Sequence, residues 1–157
     1  MEIERKYLLP DASLTEGIRD CLRIEQAYLC ADPVIRVRRV CDACTGEQEF
    51  ILTVKGRGLI AREEIEWKIS EEAYESLAER RIGRTVIKDR YRKPLDEAHT
   101  LEIDVFRGEL CGLVLAEIEF ADIADLESFA VPAYLENDVS EDPRYKNVSL
   151  ACSSSPL

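Results

Sequence analysis

The chain has one histidine, one tryptophan and one methionine among its 157 residues, and no run of eighteen apolar residues. Without such a run no membrane-spanning helix is possible. The single His99 lies far from Cys41-x-x-Cys44, and there is no second CxxC, so a four-ligand zinc site cannot readily be assembled. Basic residues are in deficit too, with 21 Lys and Arg against 32 Asp and Glu, a net charge of −11. A general nucleic-acid binder carries a basic footprint, and anionic membranes attract basic segments, so neither partner is expected. The opening Met1-Glu2-Ile3-Glu4-Arg5-Lys6 has no apolar signal core. The expected location is therefore the cytoplasm, with the six cysteines reduced and Cys41 and Cys44 at a hairpin tip. What is present is 46% hydrophobic residues, enough to bury the core of a single domain spanning residues 1–157.

The dominant pattern is apolar alternation with period two, which predicts half-buried strands near 2–9, 25–30, 34–41, 47–55, 60–69, 84–92, 99–107 and 113–121. Turn chemistry separates them at Asp32-Pro33, Thr45-Gly46, Gly56-Arg57-Gly58 and Lys93-Pro94-Leu95-Asp96. Eight strands with short connections fit an antiparallel barrel or a strongly curved sheet, a mainly β member of the α+β class. Amphipathic helices are predicted over 13–23, where Ser13 and Glu16 make a capping box, over 70–80 behind Ser70, and over 122–130 behind Asp122. A last short helix follows Pro143, and the tail Ser153-Ser154-Ser155-Pro156 reads as frayed.

Four strands carry two acids one residue apart: Glu2/Glu4, Glu64/Glu66, Glu102/Asp104 and Glu117/Glu119. Residues i and i+2 of a strand share a face, and the residues between them are apolar. Three other strands repeat the design with Arg36/Arg38, Thr53/Lys55 and Lys88/Arg90/Arg92, and Lys6 continues the first acidic row. A solvated sheet face mixes charge signs, whereas like charges side by side are destabilising. Rows of one sign make sense around a guest. Carboxylates suit a hard divalent cation, and Lys and Arg suit phosphate oxygens. With this face turned inward, nearly all of the chain's negative excess lies outside, where it aids solubility.

These residues form an ordered series of motifs: Glu2-Ile3-Glu4-Arg5-Lys6, Ile35-Arg36-Val37-Arg38, Leu52-Thr53-Val54-Lys55-Gly56, Arg62-Glu63-Glu64-Ile65-Glu66, Lys88-Asp89-Arg90-Tyr91, Leu101-Glu102-Ile103-Asp104 and Glu117-Ile118-Glu119-Phe120, closing with Asp142-Pro143-Arg144-Tyr145-Lys146-Asn147. The series resembles the CYTH domains, or triphosphate tunnel metalloenzymes, and in particular their small bacterial inorganic triphosphatases. The resemblance implies a closed eight-stranded antiparallel barrel with helices packed outside and a triphosphate bound in its tunnel. It implies Mg²⁺ or Mn²⁺ held by Glu2, Glu4 and Glu119 with Glu117 beside them, and Glu64 and Glu66 serving a second metal or the attacking water. Lys6, Arg36, Arg38, Lys55, Lys88 and Arg90 are implied to grip the phosphates. Arg62 is a weaker candidate at a strand start, and Lys146 a weaker one on a terminal helix at a tunnel mouth.

Phosphoryl transfer needs positioning and charge neutralisation more than a covalent nucleophile. Glu64, Glu66 or Lys88 could accept the water's proton, Lys88 if its basic neighbours depress its pKa. His99, in a turn-rich stretch, reads as a surface residue. Arg92 reads as solvated, Trp67 as core or helix-covered, and Glu102 and Asp104 as holders of neighbouring Arg or Lys side chains. The expected reaction is hydrolysis of tripolyphosphate to pyrophosphate and phosphate. The alternatives are an organic triphosphate in the same tunnel (nucleoside or thiamine triphosphate, or a cyclase reaction on ATP) and a non-catalytic polyphosphate-binding module. No exposed apolar stripe is legible, so monomer and homodimer both stand open.

Overall fold

In the computed structural model, which describes residues 1–153, the alternation becomes nine strands. They are β1 (Glu2–Leu8), β2 (Cys21–Ala31), β3 (Val34–Asp42), β4 (Gln48–Lys55), β5 (Ala61–Arg62), β6 (Glu64–Lys68), β7 (Ile82–Pro94), β8 (Thr100–Phe106) and β9 (Val114–Glu119). Every pairing is antiparallel, in the order β5-β1-β9-β8-β7-β2-β3-β4-β6. The two outermost strands are consecutive in sequence, separated only by Glu63. The segment expected as one strand over 60–69 therefore bends at Glu63. Its first part pairs with β1 and its second with β4, which joins the two edges of the sheet into a nearly closed barrel. Counted as one bent strand, β5 and β6 restore the expected eight.

The helix expected over 13–23 does not form. Ser13–Thr15 makes one 3-10 turn, Gly17 follows at φ +77°, and β2 begins at Cys21. A left-handed glycine four residues after the cap ends the helix. Leu22, which completed the helical spacing, instead pairs with Asp42 on one side and Arg90 on the other. The two ladders satisfy backbone groups that a short helix would leave to solvent. Leu14 and Ile18 still pack against the core from the loop.

The other helices form as expected. In α1 (Glu71–Ala78) the Ser70 hydroxyl accepts from Ala73 N at 3.1 Å, and Glu71 and Glu72 sit at the positive end of the helix dipole. Tyr74 buries its ring against Ala27, Val37 and Phe50, which closes the outer face of β2 to β4. In α2 (Ile123–Ser128) the Asp122 carboxylate accepts from Asp125 N at 2.8 Å, and Leu126 covers the outer apolar row of Ile3, Ile103 and Ile118. Pro143–Tyr145 forms a 3-10 turn and α3 (Asn147–Cys152) follows it. Residues 154–156 of the expected frayed tail lie outside the described residues. None of the described helices is long and apolar enough to cross a membrane.

The barrel interior is of two kinds. At one end Tyr28, Val86, Phe106 and Leu115 face inward and pack with Tyr145, Leu150 and Ala151, so the C-terminal segment plugs that end. Leu150 is fully buried there, worth roughly 1.5–3 kcal/mol. Gly83 of β7 makes this docking possible: a Cβ there would lie 2.2 Å from Ala151 O. Above the plug the interior is charged.

Candidate active site

Strand parity places the predicted acids and bases on the inner wall, and closure of the ring brings them face to face. They surround a cavity of about 530 Å³ whose wall includes Glu2, Glu4, Arg36, Arg38, Lys55, Arg62, Glu64, Glu66, Arg90, Glu102, Glu117 and Glu119, with Asn147 contributed by α3. Arg62, the weakest of the strand candidates, is fully part of the wall, because the bend at Glu63 turns β5 against β1 and sets Arg62 opposite Glu2. Arg92 leaves it: its guanidinium binds Asp20 outside, with Nε at 2.8 Å. Lys6 lies beside the main cavity, its Nζ donating to Tyr145 O at 3.0 Å and standing 3.4 Å from Glu117. Lys146 closes the same end by donating to Gly58 O at 3.0 Å.

Lys88 is sealed beneath the cavity floor, 1% exposed. Its Nζ is 2.7 Å from Asp104 and 3.4 Å from Asn147 Oδ1, with the Phe106 ring below. Burial pushes its amine down to about 8, against the pull of Asp104. Asp104 also takes a bidentate pair of hydrogen bonds from Arg90, at 2.8 and 2.9 Å. Asp104 and, through Arg90 at 3.2 Å, Glu102 thus act as holders of basic side chains. Asn147 is a wall residue that charge patterning could not reveal. Its only sequence signal is its place directly after the Asp142-to-Lys146 run.

The acids divide by their partners. Glu2 is drawn to Lys55 at 2.7 Å and Arg62 at 3.4 Å, Glu64 to Lys55 at 3.4 Å, and Glu66 to Arg38 at 3.3 Å. Glu119 makes no ion pair among the described residues, and Glu4 only a distant one with Arg62 at 3.9 Å. Burial raises the carboxyls of Glu2, Glu4 and Glu119, Glu4 to about 8 with the Glu117 charge adding to it. Such acids gain from a nearby cation that favours their ionised form. Among the described residues no three His, Cys, Asp or Glu side chains converge on one point. The donor set still suits Mg²⁺ or Mn²⁺: it is all oxygen, and Mg²⁺ needs only one or two carboxylates beside water and substrate phosphates.

The bases are under-compensated as well. Arg36 is 7% exposed and forms no ion pair among the described residues, and its Nε and that of Arg38 lack hydrogen-bond partners. Burial, with Arg36 and Arg90 nearby, pushes Arg38 down to about 10. A buried guanidinium without an ion pair, as at Arg36, is expensive, and an anion with several oxygens relieves it.

His99 is not the surface residue expected. Its ring is buried against Phe120 and Phe129, with Nδ1 2.8 Å from Asp96 and Nε2 2.9 Å from Asp125. It braces the turn before β8 to the first turn of α2, outside the cavity wall. The cysteines are all free, and none lines the cavity.

No protein-family model matches the chain. It is 35% identical over 152 residues to an inorganic triphosphatase of Nitrosomonas europaea, covering 97% of both chains. It is 35% identical over 153 residues to an inorganic triphosphatase of Acetivibrio thermocellus, covering 95% of this chain and 92% of that one. The crystal structure of an inorganic triphosphatase superposes on it with a TM-score of 0.66 at 32% identity, covering 99% of this chain and 97% of the other. With the barrel, its charged bore and these relatives in agreement, the chain belongs to the inorganic triphosphatases of the CYTH, or triphosphate tunnel, family.

Proposed function

We propose that this protein hydrolyses inorganic tripolyphosphate to pyrophosphate and orthophosphate inside the barrel, with Mg²⁺ or Mn²⁺ as cofactor. The observation that carries the reading is Arg36, buried without an ion pair among the described residues beside the half-satisfied Arg38, facing acids that resist ionisation across one cavity. A guest with many anionic oxygens and a bound divalent cation answers both demands at once. A polyanion alone would leave the acids unserved, and a cation alone would leave the arginines so. The relatives' names supply the class of that guest, a triphosphate.

In this reading Arg36, Arg38, Lys55, Arg62 and Arg90, with Lys6 beside them at the plugged end, hold the phosphate oxygens along the bore. Glu4 and Glu119 are the principal cation ligands, with Glu2 and Glu117 beside them, and Glu64 and Glu66 orient the water. When bound, the cation supplies charge neutralisation and polarises the phosphoryl group under attack. The water attacks the terminal phosphorus, the bridging P–O bond breaks, pyrophosphate leaves with that oxygen, and the water's proton passes to the protein. Lys88 is the proposed acceptor: burial lowers its amine to about 8, so a fraction is neutral near neutral pH, and it lies directly under the cavity floor beside the wall residue Asn147. Glu66 is less suited, because its hydrogen bond with Glu64 and the Arg38 charge keep its carboxyl low.

Phosphate release from tripolyphosphate, ATP and thiamine triphosphate, with Mg²⁺ and Mn²⁺ separately, tests the proposal. Tripolyphosphate is expected to turn over fastest and only with a divalent cation. Glu4→Ala is expected to abolish that turnover while the circular dichroism of the barrel is retained. Tight binding of all three without phosphate release would overturn the enzymatic reading, and cyclic AMP from ATP would replace it with a cyclase.

A further inference from the structure

The outer face of β6 carries two large apolar side chains in the open. Ile65 is 54% exposed and Trp67 is 49% exposed, so the tryptophan is neither core nor helix-covered. Helix α1 starts only at Glu71 and lies over β2 to β4, leaving this strand bare. β6 is also the end of the sheet order, because β1 pairs with the chain only up to Arg62. Gly56 N donates to Glu63 O and Ile69 N to Phe50 O, both at 2.9 Å, so odd-numbered residues of this strand bond to β4. In an antiparallel ladder the N–H and C=O groups of Glu64, Glu66 and Lys68 then point away, along a free edge. An exposed edge with an apolar face is a template for strand pairing.

We propose that this edge pairs with the same edge of a second copy of the chain, in a two-fold antiparallel register centred on Glu66. That register is self-complementary at every position that decides it. Glu64 stands opposite Lys68 of the second copy, an ion pair on one face. Ile65 stands opposite Trp67 on the other, an aromatic and β-branched pair at a close, non-hydrogen-bonded position. The outward backbone groups of 64, 66 and 68 meet their counterparts 68, 66 and 64 in hydrogen-bonding phase. The one like-charge contact is Glu66 with itself, and each Glu66 keeps Arg38 at 3.3 Å as its counter-charge. A register shifted by one residue opposes bore-facing to outward-facing side chains and loses both favourable pairs. The paired segment is short, below the area of a standard interface, so the dimer forms and dissociates with concentration. Ile65 and Trp67, the apolar residues replaced in the test, face away from the cavity, whereas Glu64 and Glu66 of the same edge belong to its wall.

Trp67 is the only tryptophan, so its emission reports this contact directly. Sedimentation and tryptophan fluorescence of the full chain, from roughly 1 μM to 1 mM, are expected to move together from one chain mass to two as the emission shifts to shorter wavelength. Ile65→Lys and Trp67→Lys are each expected to raise the dimer dissociation constant by at least about 30-fold, the effect of losing an interface anchor, while the circular dichroism of the barrel is unchanged. Lys68→Glu, which leaves both apolar residues in place, is expected to weaken the dimer less. A monomer throughout the range overturns the proposal. So does a dimer that survives both apolar substitutions, or one that forms with no change in the emission of the native chain, because either would use another face.

Discussion

Replacing Asp104 by asparagine removes one carboxylate that two buried cations share. Asp104 is 1% exposed, holds Lys88 at 2.7 Å and clamps Arg90 through two hydrogen bonds. Breaking a buried ion pair from one side costs about 3–5 kcal/mol, because the remaining charge stays buried without its partner. Asparagine keeps an acceptor oxygen for Arg90, which places the expected loss near the lower end, about 3 kcal/mol. For a chain of this size each kcal/mol moves Tm by about 2–4 °C, so a fall of roughly 6–12 °C is expected. Urea denaturation at pH 7 and thermal melting measure it. The loss has a signature that a merely structural defect lacks. Tripolyphosphate supplies negative charge to the same bases, so excess ligand should narrow the stability gap between variant and native protein. Arg90 without its clamp should raise KM for tripolyphosphate more than it lowers kcat. The reasoning is refuted if Asp104→Asn melts within about 2 °C of the native protein, or if its deficit is the same with and without ligand and KM is unmoved.

Two further predictions concern pH. Burial holds the Lys88 amine at about 8, so its neutral, proton-accepting fraction grows as pH rises toward that value. Turnover should climb roughly tenfold per pH unit below about 8 and level off above, and Lys88→Arg, which does not titrate there, should lose both the rate and the slope. A pH–rate profile of the two proteins checks this. For His99, burial favours the neutral ring, but the hydrogen bonds its ring donates to Asp96 and Asp125 win and raise its pKa. A raised folded value means that the stabilisation is complete below the unfolded pKa near 6.5 and fades as pH rises through the folded one. His99→Gln should therefore cost more stability at pH 5.5 than at pH 9 in paired urea titrations. An equal cost at both would remove the charged brace.

Much of this protein was legible in one dimension because its chemistry follows a period of two. Face parity is a local property of a strand, so Glu2 and Glu4, Arg36 and Arg38, or Glu117 and Glu119 could be assigned to one side without knowing what they faced. The α1 cap at Ser70 and the α2 cap at Asp122 are equally local. Depth and closure are not. Whether Lys88 lines a cavity or lies under it depends on Phe106 and α3, which the chain brings to that end from far along the sequence. Arg62 joins the wall and Arg92 leaves it because the bend at Glu63 and the partner Asp20 belong to ring closure, not to strand parity. The capping box at Ser13 lost to two ladders that β2 could enter only once β3 and β7 were in place. The apolar stripe at Ile65 and Trp67 shows the same division. Alternation put both residues on the outer face, and only the packing of α1 decided that nothing in this chain would cover them. Sequence alone thus determined which residues share a face and which family they mark. Tertiary structure decided which charges meet, which are sealed and which stay bare, because those depend on distances between segments that no local period encodes.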